Sequence, residues 1–355
     1  MVTKPQKTQP GMRYAKAGQT GTGGFFPVEI KVILMDNESV GVVFPGQGSQ
    51  RPGMGKDFFD QVAESRQVYE EASAAVGWDV AALCFGEEER LNLTAYTQPC
   101  ILATEIAMLR GLQTLFGLRP SVFAGHSLGE FSALVAAGAL PLGEAVAIVH
   151  ERGRLMQEAA PVGMGGMAAV IADNLSVEAL LQALGDLPLD IANINSPRQV
   201  VISGDAGALP EAERRITEAL SGGDGKGVRF VRLHVSAPFH SRFMRTIEAP
   251  FAAVLRDKGT GRDAARAVDV ASNYRGGFHT GDDDDLLQSL TLQLGHPVRW
   301  RDNMTAMARK ATRIFEIGPG RPLRDFFKAV DVTCESVVSL ATAERLFKRQ
   351  GGPAA

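Results

Sequence analysis

Gly125-His126-Ser127-Leu128-Gly129 is the feature that most narrows what this chain can become. It matches G-x-S-x-G, and it stands between the apolar run Ser121-Val122-Phe123-Ala124 and the nearly all-apolar residues 128–139. That context predicts a short buried strand passing through a sharp turn into a buried helix. Glycines are needed on both sides of such a turn because a side chain there would collide with neighbouring backbone. The turn lifts the Ser127 hydroxyl above the sheet, where the following helix offers free N–H groups and the positive end of its dipole. The N–H of Leu128, next after the serine, is then a natural donor to a developing oxyanion. Short glycine patterns also occur in turns that merely cap a helix. The strand–turn–helix context favours a nucleophile.

The rest of the chain reads as α/β. Val40-Gly41-Val42-Val43-Phe44, stopped by Pro45-Gly46, is a second buried strand, and residues 54–76 carry a helical pattern. Pro99 predicts a helix starting at about Cys100, since proline's fixed φ suits a first helical turn. From Met167 onward the texture changes to strand (167–172), helix (176–184), two strands (191–193 and 199–204), helix (210–221) and an alternating strand (228–235). That is the split βαβ order of a ferredoxin-like unit. Strands are also expected at 267–273 and 312–317. The fold expected is therefore a hydrolase-like α/β core with a parallel sheet. Residues 38–160 and 233–345 form this large catalytic domain, and 161–232 form an inserted ferredoxin-like subdomain. Residues 1 to about 24 are polar, basic and rich in Gly and Thr, a composition that favours disorder, and residues 1–34 are expected to be a disordered extension. A tag, a linker and an upstream misread of the start at Met35 all fit them.

Composition excludes several classes. Lys and Arg number 37 against 40 Asp and Glu, so a basic nucleic-acid footprint is missing. Cys84, Cys100 and Cys334 are too few and too scattered for a disulfide framework or a metal cluster. No apolar run reaches bilayer length. The expectation is a cytoplasmic monomer that binds neither nucleic acid nor membrane and uses no metal or other cofactor.

A serine nucleophile needs a base. Of the six histidines, His150 and His296 read as surface or structural, and His126 flanks Ser127 with its ring turned away. His234 alternates within a strand and fits a core position. His240, in Ser236-Ala237-Pro238-Phe239-His240-Ser241, lies just past that strand, where a side chain reaches a cleft, and position favours it as the base. No Asp or Glu stands out as a third triad member. The acidic run Asp282 to Asp285 reads as a solvated loop or helix start, and Gly222 to Gly227 as a flexible loop rather than a phosphate cradle.

Phe44-Pro45-Gly46-Gln47-Gly48-Ser49-Gln50, Thr97-Gln98-Pro99, Gly125-His126-Ser127-Leu128-Gly129-Glu130, Pro238-Phe239-His240-Ser241 and Gly318-Pro319-Gly320, in this order, resemble the malonyl-CoA:acyl carrier protein transacylases and the acyltransferase domains of polyketide synthases. The resemblance runs from about residue 40 to 330. It implies Ser127 as nucleophile, His240 as base, and the N–H groups of Gln47 and Leu128 as oxyanion donors. It implies that Gln293 orients His240 through its main-chain carbonyl, which leaves the base with a pKa near the ordinary histidine value of about 6.5. It implies a substrate site of Arg152, Gln98, Phe239 and His126. A guanidinium at Arg152 suits a malonyl carboxylate because it binds through two parallel hydrogen bonds, although a helix arginine is more often a surface residue. Phe239 resembles the malonyl-selecting pattern, in which a ring fills the space an α-methyl needs.

The implied partners are malonyl-CoA and a phosphopantetheinylated acyl carrier protein, in fatty-acid or polyketide synthesis. Two rivals stand beside this reading: an acyl hydrolase of the same fold, and a non-catalytic carrier-protein docking module. Asn273-Tyr274-Arg275-Gly276-Gly277 matches no usable motif.

Overall fold

The structure, a computed structural model, describes residues 39–160, 163–220, 227–233, 235 and 237–348. Expectations for residues 1–34, His234 and most of the Gly222 to Gly227 loop lie outside the described residues.

Two sheets organise the chain. The first is wholly parallel, with the order β10-β9-β1-β2: β1 is Val40–Phe44, β2 Val122–Gly125, β9 Arg313–Ile317 and β10 Cys334–Val337. All five residues of β1 and all four of β2 are buried, as parallel strands covered on both faces require. The helices Thr94–Phe116 and Leu142–Glu158 contribute much of the cover. In open parallel sheets, ligands gather beyond the carboxyl ends of the strands. Here Phe44 pairs with Gly125, so β1 and β2 end side by side and release the Pro45-Gly46-Gln47 and His126-Ser127 segments at one place.

The glycines of the G-x-S-x-G turn are fixed by contact. A Cβ on Gly125 would stand 1.9 Å from the Gly129 carbonyl carbon, and one on Gly129 would stand 2.3 Å from the Phe44 carbonyl oxygen. The strand, the turn and the following helix Gly129–Ala136 therefore pack backbone to backbone.

The second sheet is antiparallel, with the order β4-β5-β3-β6: β3 is Gly165–Ile171, β4 Leu189–Ser196, β5 Gln199–Asp205 and β6 Arg229–Leu233. Its side chains alternate between two cores. Ala168, Val170, Val200 and Ile202 pack with Leu180, Leu184 and Ile216 of the helices Val177–Leu184 and Leu209–Leu220. Met167, Ala169 and Val201 face the main core.

Three sequence expectations need correction. The helix expected after Pro99 begins at Thr94, so Pro99 lies inside its second turn. The proline removes one helical donor there, and burial of most of the helix compensates. Residues 267–273 are not one strand: a 3-10 turn, Ala264–Asp269, leads to the two-residue strand β7, Ala271–Ser272, which pairs with β8, Gly277–Phe278. The apolar residues Ala267, Val270 and Ala271 are buried by packing, and only Val270 bridges to β2, at Phe123. The helix after Ser127 is also shorter than expected, ending at Ala136. Asp282 caps the helix Asp283–Leu292 through its side chain, as a helix start should. Among the described residues no helix is long and apolar enough to cross a membrane.

Candidate active site

Ser127 sits at φ 52 and His240 at φ 57, two of the four non-glycine residues with positive φ among those described. Such backbone costs on the order of 1–3 kcal/mol and persists only where its surroundings enforce it. Here it brings the two side chains together: Ser127 Oγ lies 2.7 Å from His240 Nε2. His240 Nδ1 lies 2.8 Å from the carbonyl oxygen of Gln293. A carbonyl can only accept, so Nδ1 carries the proton and Nε2 turns its lone pair to the serine. The imidazole is buried. Burial, and next the nearby Arg152 charge, lower its pKa to about 3, well below the ordinary value expected from a neutral partner alone.

Ser127 and His240 open onto a cleft of about 410 Å³ between the two sheets, walled also by Gln47, Leu128, Arg152, Met156, Met167 and Phe239. Among the described residues the backbone N–H groups of Gln47 and Leu128 make no hydrogen bond within the protein. They are two unused donors at the wall nearest the serine.

Arg152 comes from the helix Leu142–Glu158 and is 1% exposed, yet its guanidinium reaches the cleft wall. Nη1 donates to Gln98 Oε1 at 2.9 Å, and Nη2 donates to Gln293 Oε1 at 2.7 Å and to Ser127 Oγ at 3.2 Å. Burial lowers its pKa to about 10, which leaves it cationic at neutral pH. No carboxylate pairs with it directly among the described residues, and its Nε has no partner. A buried cation held by amides beside a serine hydroxyl is a receptor for an anionic acyl group.

Residues 42–273 match the acyl transferase domain family. The malonyl CoA-acyl carrier protein transacylase of Bacillus subtilis is 38% identical over 82% of this chain and 90% of its own length.

The chain belongs to the acyl transferase family.

The Escherichia coli K12 malonyl CoA-acyl carrier protein transacylase is likewise 38% identical, over 81% of this chain and 91% of that one. Among solved structures, the malonyl CoA-acyl carrier protein transacylase of Clostridium perfringens superposes with a TM-score of 0.78 at 35% identity, covering 88% of this chain and 96% of that chain. A type II PKS malonyl-transacylase in complex with its acyl-carrier protein matches at a TM-score of 0.77 and 34% identity, covering 88% of this chain and 99% of that chain.

Two of the residues expected in the substrate site of this acyl transferase are placed differently toward the cleft. Gln98 does not line the cleft. It is fully buried, its Oε1 is occupied by Arg152, and its Nε2 lies 3.5 Å from Met156 Sδ. In this structure its side chain holds the arginine. His126 lines the cleft, with Nε2 2.8 Å from Asn195 Oδ1 and its ring tilted against Trp300 at 5.6 Å. Burial lowers its pKa, so it faces the cleft as a neutral ring.

The acyl transferase site also contains residues that sequence reasoning missed. Asn273 Oδ1 accepts from the N–H of Ser127 at 2.9 Å, and Glu130 accepts from Asn273, Gln293 and His279. One signal for Glu130 was available: it is the one charge in the apolar stretch 128–139. Asn273 gave none, because only the fold brings it to the serine. Among the described residues no three His, Cys, Asp or Glu side chains gather as a metal site.

Proposed function

We propose that this acyl transferase moves malonyl from malonyl-CoA to the phosphopantetheine thiol of an acyl carrier protein through a malonyl-serine ester. The observation that carries this reading is the buried Arg152 guanidinium 3.2 Å from the Ser127 hydroxyl, a distance that suits an acyl group ending in a carboxylate. His240 Nε2 takes the Ser127 proton as Oγ bonds to the thioester carbonyl carbon. The oxyanion is stabilised by the N–H groups of Gln47 and Leu128. The C–S bond breaks, and His240 returns the proton to the departing coenzyme A sulfur. The pantetheine thiol then enters by the reverse path: His240 takes its proton, sulfur attacks the ester, and Ser127 leaves as a hydroxyl. Met156, Met167 and Phe239 give the cleft an apolar stretch of wall that suits an acyl chain.

We read residues 38–160 and 233–345 as the catalytic domain and 161–232 as a ferredoxin-like insert, a reading supported by the β4-β5-β3-β6 order and its two helices. We place the reaction in the cytoplasm, a setting that fits three buried free cysteines.

The test is intact-protein mass after mixing with malonyl-CoA alone. One malonyl mass should be gained by the wild type and none by Ser127→Ala. Adding carrier protein should discharge it faster than water does. Label retained by Ser127→Ala overturns the nucleophile, and discharge by water alone points to an acyl hydrolase.

A further inference from the structure

Behind the serine and histidine lies a buried carboxylate that the proposed chemistry does not use. Glu130 is the second residue of the helix Gly129–Ala136 and is fully buried. Its Oε2 accepts from the Asn273 N–H at 3.0 Å, from Asn273 Nδ2 at 2.7 Å and from Gln293 Nε2 at 2.6 Å. Its Oε1 accepts from His279 Nε2 at 2.9 Å. The amide orientations are fixed by partners with one possible role. Asn273 Oδ1 meets the Ser127 N–H, a donor only, and Nδ2 also meets the Gly125 carbonyl, an acceptor only. Gln293 Oε1 meets Arg152 Nη2, a donor only, and Nε2 also meets the Ser127 carbonyl, an acceptor only. His279 Nδ1 is buried without a partner among the described residues, so the proton of its contact with Glu130 is placed on Nε2. Every group that faces Glu130 is therefore a donor, and its two oxygens accept from all of them.

The two outer ends of this network are the two halves of the reaction. Asn273 grips the backbone of the serine turn on both sides of His126. Gln293 carries the carbonyl that orients His240, and it also holds Arg152. We propose that Glu130 is a positioning residue for acyl transfer: by binding Asn273 and Gln293 with one carboxylate, it fixes the distance and angle between Ser127 and His240. The serine turn and the histidine's support come from separate parts of the chain, and Ser127 and His240 both hold positive φ. A shared buried acceptor supplies the restraint that both need. Glu130 is also linked to Arg152 through the Gln293 amide.

The inference rests on the proposed roles of Ser127 and His240, and the experiment keeps the two apart. Malonyl loading of the full chain is followed by rapid quench and intact mass over a range of malonyl-CoA concentrations, per folded molecule as measured by thermal melt. Glu130→Gln keeps the shape but presents an NH2 group to donors. Its saturating loading rate should fall about 100-fold, the scale expected for a misplacement near 1 Å, with a half-saturating concentration within about threefold of wild type. Asn273→Ala, which leaves the carboxylate in place, should show a loss of similar size. The double variant should lose little more than the worse single one, because both act through one link. A wild-type saturating rate in either single variant, or losses that multiply in the double variant, overturns the proposal. If Glu130→Gln does not fold, Asn273→Ala alone decides by the same rate criterion. Loading that persists in Ser127→Ala would instead remove the reading beneath the proposal.

Discussion

The Nδ1 atom of His240 lies 2.8 Å from the main-chain oxygen of Gln293, in the place a carboxylate fills in a Ser-His-Asp triad. A neutral acceptor orients the ring without stabilising its charged form as a carboxylate does. Burial and the Arg152 cation then act with little opposition, and together they lower the pKa to about 3.

The first prediction follows from that shift. The neutral, basic form of His240 should persist far into acid in the unloaded enzyme, so Ser127 acylation should remain near its neutral-pH rate down to about pH 5. A midpoint near 6.5 in single-turnover loading would show that the site is wetter than this. The sign for stability is the opposite one. The unfolded histidine binds a proton below about pH 6.5 and the folded one only near 3, so this residue reduces stability as pH falls between those values, by up to about 1.4 kcal/mol per pH unit. Thermal melts of His240→Ala should therefore show a weaker acid dependence than wild type.

Arg152→Ala should lose malonyl loading by on the order of 2–5 kcal/mol of transition-state stabilisation, because the substrate carboxylate would be buried without its partner. Acetyl loading, which brings no carboxylate, should fall far less. Arg152→Lys should resemble the alanine variant more than the wild type, since a point charge cannot serve Gln98, Gln293 and a carboxylate from one planar fork. Equal losses for both acyl groups in parallel assays would make the residue structural.

Gln293→Ala keeps the carbonyl that holds His240, and a role through the backbone alone would leave it active. The structure makes its side chain a hub: Oε1 accepts from Arg152, and Nε2 donates to Ser127 O and to Glu130. Truncation leaves buried partners unsatisfied at about 1–3 kcal/mol each. Malonyl loading by Gln293→Ala should therefore fall at least 10-fold, though less than in His240→Ala. Wild-type loading would restrict the residue to its carbonyl.

Gly125→Ala should destabilise the fold by about 3 kcal/mol or more, since the new methyl would meet backbone, which cannot rotate away. Chemical denaturation reads this directly, and a variant within 1 kcal/mol of wild type would mean that the strand and helix separate easily.

Much of the site was legible in the sequence. Strand, glycine turn, serine and apolar helix are consecutive, so local sterics alone place Ser127 at the end of β2. The resemblance supplied Arg152, Gln47 and Gln293, and the element order of residues 165–233 was readable from alternation and helical spacing. Local pattern failed where burial came from packing rather than pairing. Residues 267–273 are apolar like a strand but contribute only two residues to one, and Thr94–Phe116 tolerates Pro99 because the surrounding core holds it.

By itself the sequence determined which chemistry the chain carries, because a nucleophile turn, a histidine past a strand and a helix arginine are local features of residue type and spacing. Tertiary structure alone decided how those groups work together. It put Asn273 on the Ser127 N–H, placed Gln98 behind Arg152, turned four donors onto Glu130, and buried His240 beside a cation. Hydrogen-bond direction, desolvation and charge proximity depend on distances between residues far apart in the chain, and those distances exist only after folding.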